Sequence, residues 1–216
     1  MTELFGRIPE EKRNRIIEAA INEFAIFGYR NANTNKIAHN AGISVGSLFQ
    51  YFENKEDLFL TTVKYIAAEM KAALELIMTE EEDIMVKVEK LLRALMKHSR
   101  KNTNMLRLYQ EMTTQSNSEI IGEIVTEIEA LTANLYFELI QKAQQEQQVR
   151  SDCDPGMFAF LLDNIFMMLQ FSYSSDYYSE RFKLYAGDTI LNQDEFVIEQ
   201  LLKFIRAAFS PKSYEK

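Results

Sequence analysis

The sequence predicts an all-α protein, and three observations carry that prediction. Apolar residues recur at helical spacing along nearly the whole chain. Only seven Gly and three Pro interrupt the 216 residues, which is sparse for the many turns of a β fold. Hydrophobic residues make up 47% of the chain and charged residues 26%, so a packed core is expected rather than disorder.

Composition also argues against several classes of protein. Cys153 is the single cysteine, which excludes an internal disulfide framework and fits a reducing compartment. The two histidines, His39 and His98, lack metal-ligand spacing. The N-terminus has no apolar signal segment, and polar residues interrupt the most apolar stretch, 157–173. We therefore expect a cytoplasmic protein with no metal, no cofactor and no membrane partner.

The motifs of common enzymes are missing from the sequence. It contains no nucleophile elbow, phosphate-binding loop, HExxH sequence or paired acidic metal motif, so we expect no enzymatic activity. The net charge of −8 argues against nonspecific nucleic-acid binding by the whole chain. Segment 30–55 is instead net positive, since it holds the bases Arg30, Lys36 and Lys55 and a single acid, Glu53.

One longer helix and two short ones are predicted near the N-terminus. They run from about 10 to 27, over 34–40 and over 45–51. Gly28 suits a left-handed helix end, and Asn33 and Ser44 are the expected N-caps of the second and third helices. Gly42 lies in the tight connection between these two. Such a pair of short helices joined by a glycine-containing turn is a helix-turn-helix.

Long helices are predicted for the remainder. They cover about 55–78, 79–101, 103–114, 116–148, 155–173 and 193–209. The expected N-terminal signals are Asn54, the capping boxes that begin at Thr79 and Ser116, and the Asp154–Pro155 pair. Residues 174–192 are expected to be irregular or briefly helical. The predicted domains are an N-terminal head, 1–54, which holds the helix-turn-helix, and a helical C-terminal domain, 55–216.

The second helix of the motif begins with small residues, Ser44-Val45-Gly46-Ser47. A thin helix end can enter the DNA major groove, which is about 12 Å wide. The stretch "IAHNAGISVGSLFQYFENKEDLF" (37–59) strongly resembles the DNA-binding segment of the TetR (tetracycline-repressor) family. The preceding "IIEAAINEFAIFGY" (16–29) is similar to that family's first helix, so the resemblance covers roughly residues 10–60.

The resemblance implies a homodimeric transcriptional regulator, usually a repressor. Its two heads would bind a palindromic double-stranded DNA operator, and a small apolar or amphiphilic effector would release it. By position, the implied phosphate contacts are Thr34, Ser44, Gly46, Tyr51 and Lys55, and the implied base contacts are Val45, Ser47 and Gln50. Lys36 occupies a position that is commonly acidic in the family, which adds attraction to phosphate.

Basic residues also precede the motif, and two interpretations stay open for them. Arg7, Lys12, Arg13 and Arg15 resemble a basic arm that reaches the duplex, but a solvated, ion-paired helix face explains them equally well. Tyr51 is ambiguous in a similar way, since its ring can pack while its hydroxyl reaches phosphate.

The C-terminal part is rich in methionine and aromatic residues. The predicted ligand-binding residues are Met105, Tyr109, Met112, Tyr136, Phe137, Ile140, Asp163, Phe166 and Met167. The predicted dimer-interface residues are Phe158, Leu162, Leu169, Leu201, Leu202 and Ile205. Asp163 lies on the most apolar helix, where an isolated carboxylate is costly, so it pairs structurally, lines the ligand pocket or meets solvent. The alternative function is a helical DNA- or protein-binding module without a small-molecule effector.

Overall fold

The computed structural model describes residues 2–78, 81–113, 122 and 129–210, and every regular element in those ranges is helical. In chain order they are α1 (Glu3–Arg7), α2 (Glu10–Asn31), α3 (Thr34–Asn40), α4 (Val45–Tyr51), α5 (Lys55–Met78), α6 (Ile84–Lys101), α7 (Thr103–Thr113), α8 (Ala130–Gln145), α9 (Pro155–Ser174), α10 (Asp176–Ala186), a 3₁₀ turn (Ile190–Asn192) and α11 (Asp194–Phe209). The all-α prediction is confirmed.

Two compact units divide the chain. The first comprises residues 1–70 and 104–128, and the second comprises 71–103 and 129–216. These units differ from the predicted domains 1–54 and 55–216, because residues 55–70 of α5 and 104–113 of α7 belong to the first unit. Leu108 of α7 is fully buried in the hydrophobic core of the first unit, which gives the physical reason for that grouping.

The head core is built from the apolar stripes that the sequence displays. Its largest fully buried side chains are Ile16, Ile17, Phe24, Ile37, Leu48, Phe52, Leu58 and Phe59. Phe24 and Phe59 meet edge to face with their ring centres 5.0 Å apart. Removal of these side chains from water is the main force that holds the short helices together.

The second unit has its own core and a polar connection at one edge. Leu91, Ile140, Phe166 and Ile205 are almost completely buried there. At the edge, Arg93 of α6 donates to both carboxylate oxygens of Glu195, over 2.6 and 2.9 Å. Arg100 binds Asp194, so two arginines of α6 hold the first turn of α11.

Several helix ends differ from those predicted. Helix α6 begins at Ile84, where the Asp83 side chain accepts from the Met85 amide, so the predicted start at Thr79 is wrong. Helix α10 is a regular helix of 11 residues within the stretch expected to be irregular or briefly helical. Helix α8 ends at Gln145 rather than 148. The capping box predicted at Ser116 lies outside the described residues.

Candidate functional site

The helix-turn-helix is held by two side-chain caps. Asn33 accepts a hydrogen bond from the Asn35 amide over 2.9 Å at the start of α3. Ser44 accepts one from the Ser47 amide over 3.0 Å at the start of α4. Between the helices Gly42 has a φ of 69°, in the left-handed region where glycine is favoured. The predicted caps and turn are therefore confirmed.

A buried carboxylate fixes where this motif begins. Glu23 of α2 is only 5% exposed, and its Oε1 accepts from the backbone amide of Asn33 over 2.9 Å. That contact ties α2 to the N-cap of α3. Sequence reasoning missed Glu23, although an acidic residue beside the apolar Phe24 was a usable signal, since a buried carboxylate needs a donor.

The candidate DNA-reading residues surround the beginning of α4. Ser44, Gly46 and Gln50 are exposed, and Val45 and Ser47 are half-buried. A Cβ added at Gly46 would approach no atom closer than Ser44 Oγ, at 3.8 Å. The fold therefore leaves room for a side chain there, and the absence of one keeps the outer face of the helix thin.

The basic residues predicted near the duplex differ in their contacts. Lys36 is exposed, with its ammonium 4.9 Å from the centre of the Phe27 ring. Lys55 donates to the carbonyl of Arg30 over 3.0 Å and lies 5.2 Å from the centre of the Tyr29 ring. Burial lowers the pKa of Lys55, against the opposing effect of Glu23. Thr34 is half-buried at the start of α3.

Tyr51 is 6% exposed, and its hydroxyl, which was predicted to contact phosphate, already accepts a hydrogen bond from a cation. Lys12 Nζ donates to Tyr51 Oη over 2.9 Å. Among the other basic residues whose role was open, Arg7 pairs with Glu3 over 2.9 Å and Arg15 pairs with Glu11 over 2.8 Å. Arg13 donates to the carbonyls of Gly6 and Ile8.

The predicted ligand residues are divided between the two units. Met105 and Tyr109 are half-buried against the core of the first unit. Six lie on α8 and α9 of the second unit, where Tyr136, Ile140 and Phe166 are core, Asp163 and Met167 are half-buried and Phe137 is 36% exposed. The side chain of Met112 lies outside the described residues.

Asp163 is the polar member of the second-unit set. Burial, with a smaller contribution from Glu129, raises the pKa of its carboxyl to about 6. Burial likewise raises the pKa of Tyr136, and the nearby charge of Asp163 adds to that effect. Tyr136 of α8 and Asp163 of α9 are thus close enough for the charge of one to affect the other.

An apolar groove of about 750 Å³ runs along α9, α10 and α11. Five of the six predicted dimer residues line this groove, and three of them, Leu162, Leu169 and Ile205, also belong to the buried core of their unit; the five are Phe158, Leu162, Leu169, Leu201 and Ile205. Phe158, Leu201 and Leu202 are half-buried. The exposed large apolar residues of the groove lining are Leu161 at 52%, Phe196 at 47% and Phe204 at 63%.

Helix α9 has 20 residues and is long and apolar enough to cross a membrane by length and composition. Length and composition are weak evidence for a span here, since a core helix of a soluble unit passes the same test. Leu162, Phe166 and Leu169 of this helix are core residues, which is the packing expected of such a helix.

The comparisons with known proteins agree with the geometry of the head. Residues 16–62 match the family model described as bacterial regulatory proteins, tetR family. The HTH-type transcriptional regulator YhgD of Bacillus subtilis is 22% identical over 167 residues, 77% of this chain and 86% of that protein. The fatty acid metabolism regulator protein of Bacillus subtilis is 36% identical over 90 residues, 40% of this chain and 43% of that relative.

The fold as a whole has solved counterparts. The transcriptional regulator FadR from Bacillus subtilis, solved in complex with stearoyl-CoA, superposes with a TM-score of 0.72 at 21% identity, over 88% of this chain and 97% of that one. The head matches the family model and the helical fold matches a family regulator. Residues 16–62 therefore form a helix-turn-helix domain of the tetR family of bacterial regulatory proteins, and the helical fold of the chain is similar to that of a bacterial transcriptional regulator.

Proposed function

We propose that the chain is a homodimeric, ligand-responsive repressor that binds a palindromic operator. The observation that carries the proposal is the capped helix α4, whose first residues, Ser44 and Gly46, are exposed together with Gln50. An exposed glutamine on such a helix can make a bidentate pair with adenine, and Val45 can contact a thymine methyl. Thr34, Lys36 and Lys55 supply the phosphate contacts of this proposal.

The apolar groove along α9 and α11 supports the dimer. Exposed apolar surface of this kind marks an association site in a soluble protein. A two-fold pair would place two copies of α4 in successive major grooves, about 34–36 Å apart, which a palindromic operator requires. With DNA as its partner, the protein is proposed to act in the cytoplasm, and regulators of this family are transcription factors rather than enzymes.

The proposed effector is an apolar or amphiphilic molecule, with a long-chain acyl compound as the first candidate. The methionine and aromatic residues of α8 and α9 suit an adaptable apolar site. A relative is named as a regulator of fatty acid metabolism, and a structural neighbour was solved with stearoyl-CoA. Such a ligand shifts the protein between DNA-binding and free states only by its differential affinity for the two.

The test begins with selection of bound duplexes from a random DNA library by the purified protein. Recovery of a palindromic sequence supports the proposed dimer on DNA, and recovery of no enriched sequence contradicts it. Stearoyl-CoA is then titrated against the selected complex in an electrophoretic shift, with free coenzyme A as the control. Release by the acyl compound alone supports the effector class.

The burial of Tyr136, Ile140 and Phe166 favours the second candidate, a DNA- or protein-binding module without an effector. These side chains already pack against one another, with the Tyr136 and Phe166 rings 5.8 Å apart. Unchanged DNA binding across a panel of acyl, aromatic and cationic amphiphiles would favour this alternative over the repressor that a ligand releases.

A further inference from the structure

Helix α4, which carries the proposed base-reading residues, is short, and the amide of its C-cap Phe52 donates only to the carbonyl of Leu48. It has seven residues and ends at Tyr51, and the C-cap Phe52 that follows is extended with φ −130° and ψ 134°. The last carbonyls of any helix lack partners within it and need donors from elsewhere. A helix this short is also marginal without tertiary contacts. Its C-terminal end must therefore be held by another segment.

Thr2, at the other end of the head's sequence, supplies the missing donors. Its backbone amide donates to the carbonyl of Tyr51 over 3.0 Å. Its hydroxyl lies 3.0 Å from the carbonyl oxygen of Gln50 and 3.1 Å from that of Tyr51, so its one proton serves either acceptor. Both acceptors are among the last carbonyls of α4.

Apolar packing reinforces this cap. Phe5 of α1 is 4% exposed, with its ring centre 4.7 Å from that of Phe52 and 6.0 Å from that of Tyr51. Its neighbour Leu4 is 44% exposed. Phe5 thus belongs to the head core and packs against the end of α4, whereas Leu4 provides a matched control on the same helix.

The segment is anchored on its other side as well. Arg13 of α2 donates from Nη1 to the carbonyls of Gly6 and Ile8, each over 3.1 Å. Residues 2–8 therefore connect the start of α2 to the end of α4. A displacement of this segment would free the last turn of the helix that carries Gln50 and Tyr51.

We propose that residues 2–8 are a positioning segment that caps α4 and fixes the orientation in which Gln50 meets the DNA. The proposal rests on the proposed role of α4 as the recognition helix. The segment acts through α4, so its loss lowers affinity for the selected operator more than affinity for unrelated DNA. A contact made directly with the phosphates would weaken both to the same extent.

The first experiment uses Thr2→Val, which keeps the shape and removes the hydroxyl, with Thr2→Ser as the conservative control. Loss of one hydrogen bond is expected to lower operator affinity about fivefold, with unrelated duplex bound as before. Amide hydrogen exchange at 48–51 should quicken by a similar factor, and Thr2→Ser should restore both values. Wild-type exchange and affinity in Thr2→Val would overturn the proposal.

The second experiment compares Phe5→Ala with Leu4→Ala. We expect Phe5→Ala to lower operator affinity by about tenfold or more, because it opens a cavity beside Phe52, and Leu4→Ala to change little. Should Phe5→Ala unfold the head in thermal melts, Phe5→Leu replaces it in the same comparison. Equal effects of the two positions would overturn the proposal.

A third variant separates positioning from direct contact. In Arg7→Gln the slope of log affinity against log salt should stay at the wild-type value, whereas a phosphate contact at Arg7 would reduce it by about one unit. A reduced slope, with unchanged exchange in Thr2→Val, overturns the proposal in favour of a basic arm. The hydrogen-exchange measurement needs no DNA, so it gives a result even if selection from the random DNA library yields no operator.

Discussion

Lys12 on α2 donates a hydrogen bond to the hydroxyl of Tyr51 on α4, with 2.9 Å between Nζ and Oη, and its ammonium lies 5.3 Å from the centre of the same ring. The pair joins the first long helix of the head to the last residue of the proposed recognition helix. It also presents a cation where the hydroxyl alone was predicted to meet phosphate.

Tyr51→Phe should therefore affect DNA binding through Lys12. The ring stays packed, so the free energy of unfolding of the head should fall by only about 1 kcal/mol, the value of one hydrogen bond. Operator affinity should fall about as far as in Lys12→Met, and the double variant should lose little more, because the two residues act as one unit. Additive losses in a double-mutant cycle measured by electrophoretic shift would contradict this.

Substitutions of Gln50 and of Lys55 should change DNA binding in different ways. Gln50→Ala is expected to cost about 1–3 kcal/mol on the selected operator and to relax one base position. Lys55→Ala should weaken all sequences similarly and reduce the salt slope by about one unit. Selection from a random library, followed by salt titrations, measures both properties. The same behaviour in both variants would remove the assignment of base and phosphate contacts.

Gly46→Ala separates folding from DNA binding. A Cβ at this position meets only Ser44 Oγ, at 3.8 Å, and alanine is the better helix former by up to about 1 kcal/mol, so stability should stay equal or rise. Operator affinity should fall, since the added methyl thickens the face that approaches the groove. Thermal melts and electrophoretic shifts test the two halves of this prediction. Unchanged affinity would show that the helix does not approach DNA at this residue.

The apolar groove should mediate association. Leu161→Glu and Phe204→Glu place charges on its exposed lining and should give monomers in sedimentation, with weakened operator binding. Leu184→Glu is the matched control, because Leu184 is 87% exposed on α10 and does not line the groove. If the first two variants sediment as dimers, the interface lies elsewhere.

Asp163 should make stability depend on pH in a defined window. Its pKa is raised from 3.8 to about 6 on folding, so the folded state holds the proton more tightly than the unfolded chain. The stabilisation is therefore fully present below about pH 4 and is lost as the pH rises to about 6, a change of about 2 kcal/mol after allowance for partial solvent access.

Asp163→Asn should remove that dependence. Urea unfolding of the wild type and the variant at pH 4.5 and pH 8 should differ most at pH 8, where the variant is more stable. Glu138→Gln, an exposed change on the preceding helix, is the control. If the free energy of unfolding of the wild type, relative to that of Asp163→Asn, does not fall between pH 4.5 and pH 8, then Asp163 is paired or hydrated when ionised.

The helix-turn-helix was predictable because its signals are local. The caps Asn33 and Ser44 and the glycine turn at Gly42 act within a few residues of one another, and their type fixes the backbone directly. The contacts that anchor the motif are different. Glu23 reaches Asn33, and Thr2 reaches Tyr51 across 49 residues. No periodicity in the sequence marks such pairs.

The second unit shows why helical spacing alone does not assign sites. The stripe of α9 is apolar on more than one face, so its pattern does not say which residues face the core. Leu162 and Leu161 are adjacent in sequence, yet the first is core and the second is 52% exposed in the groove. The start of α6 was misplaced for a related reason, because Thr79 and Asp83 both offer capping chemistry and only packing selects between them.

In the four helices α3, α4, α6 and α9 the side chain of the N-cap accepts a hydrogen bond from a backbone amide, and these caps differ in charge between the helix-turn-helix and the second unit. In the helix-turn-helix they are the neutral side chains of Asn33 and Ser44, whereas Asp83 and Asp154 cap α6 and α9. Aspartate caps a helix as well as serine does and also favours the helix dipole. At position 44, however, the negative charge of an aspartate would repel the phosphates of the DNA that α4 is proposed to approach. The most stabilising residue for the isolated head is thus a poor one for binding DNA, and thermostability alone would be a misleading guide in engineering this motif.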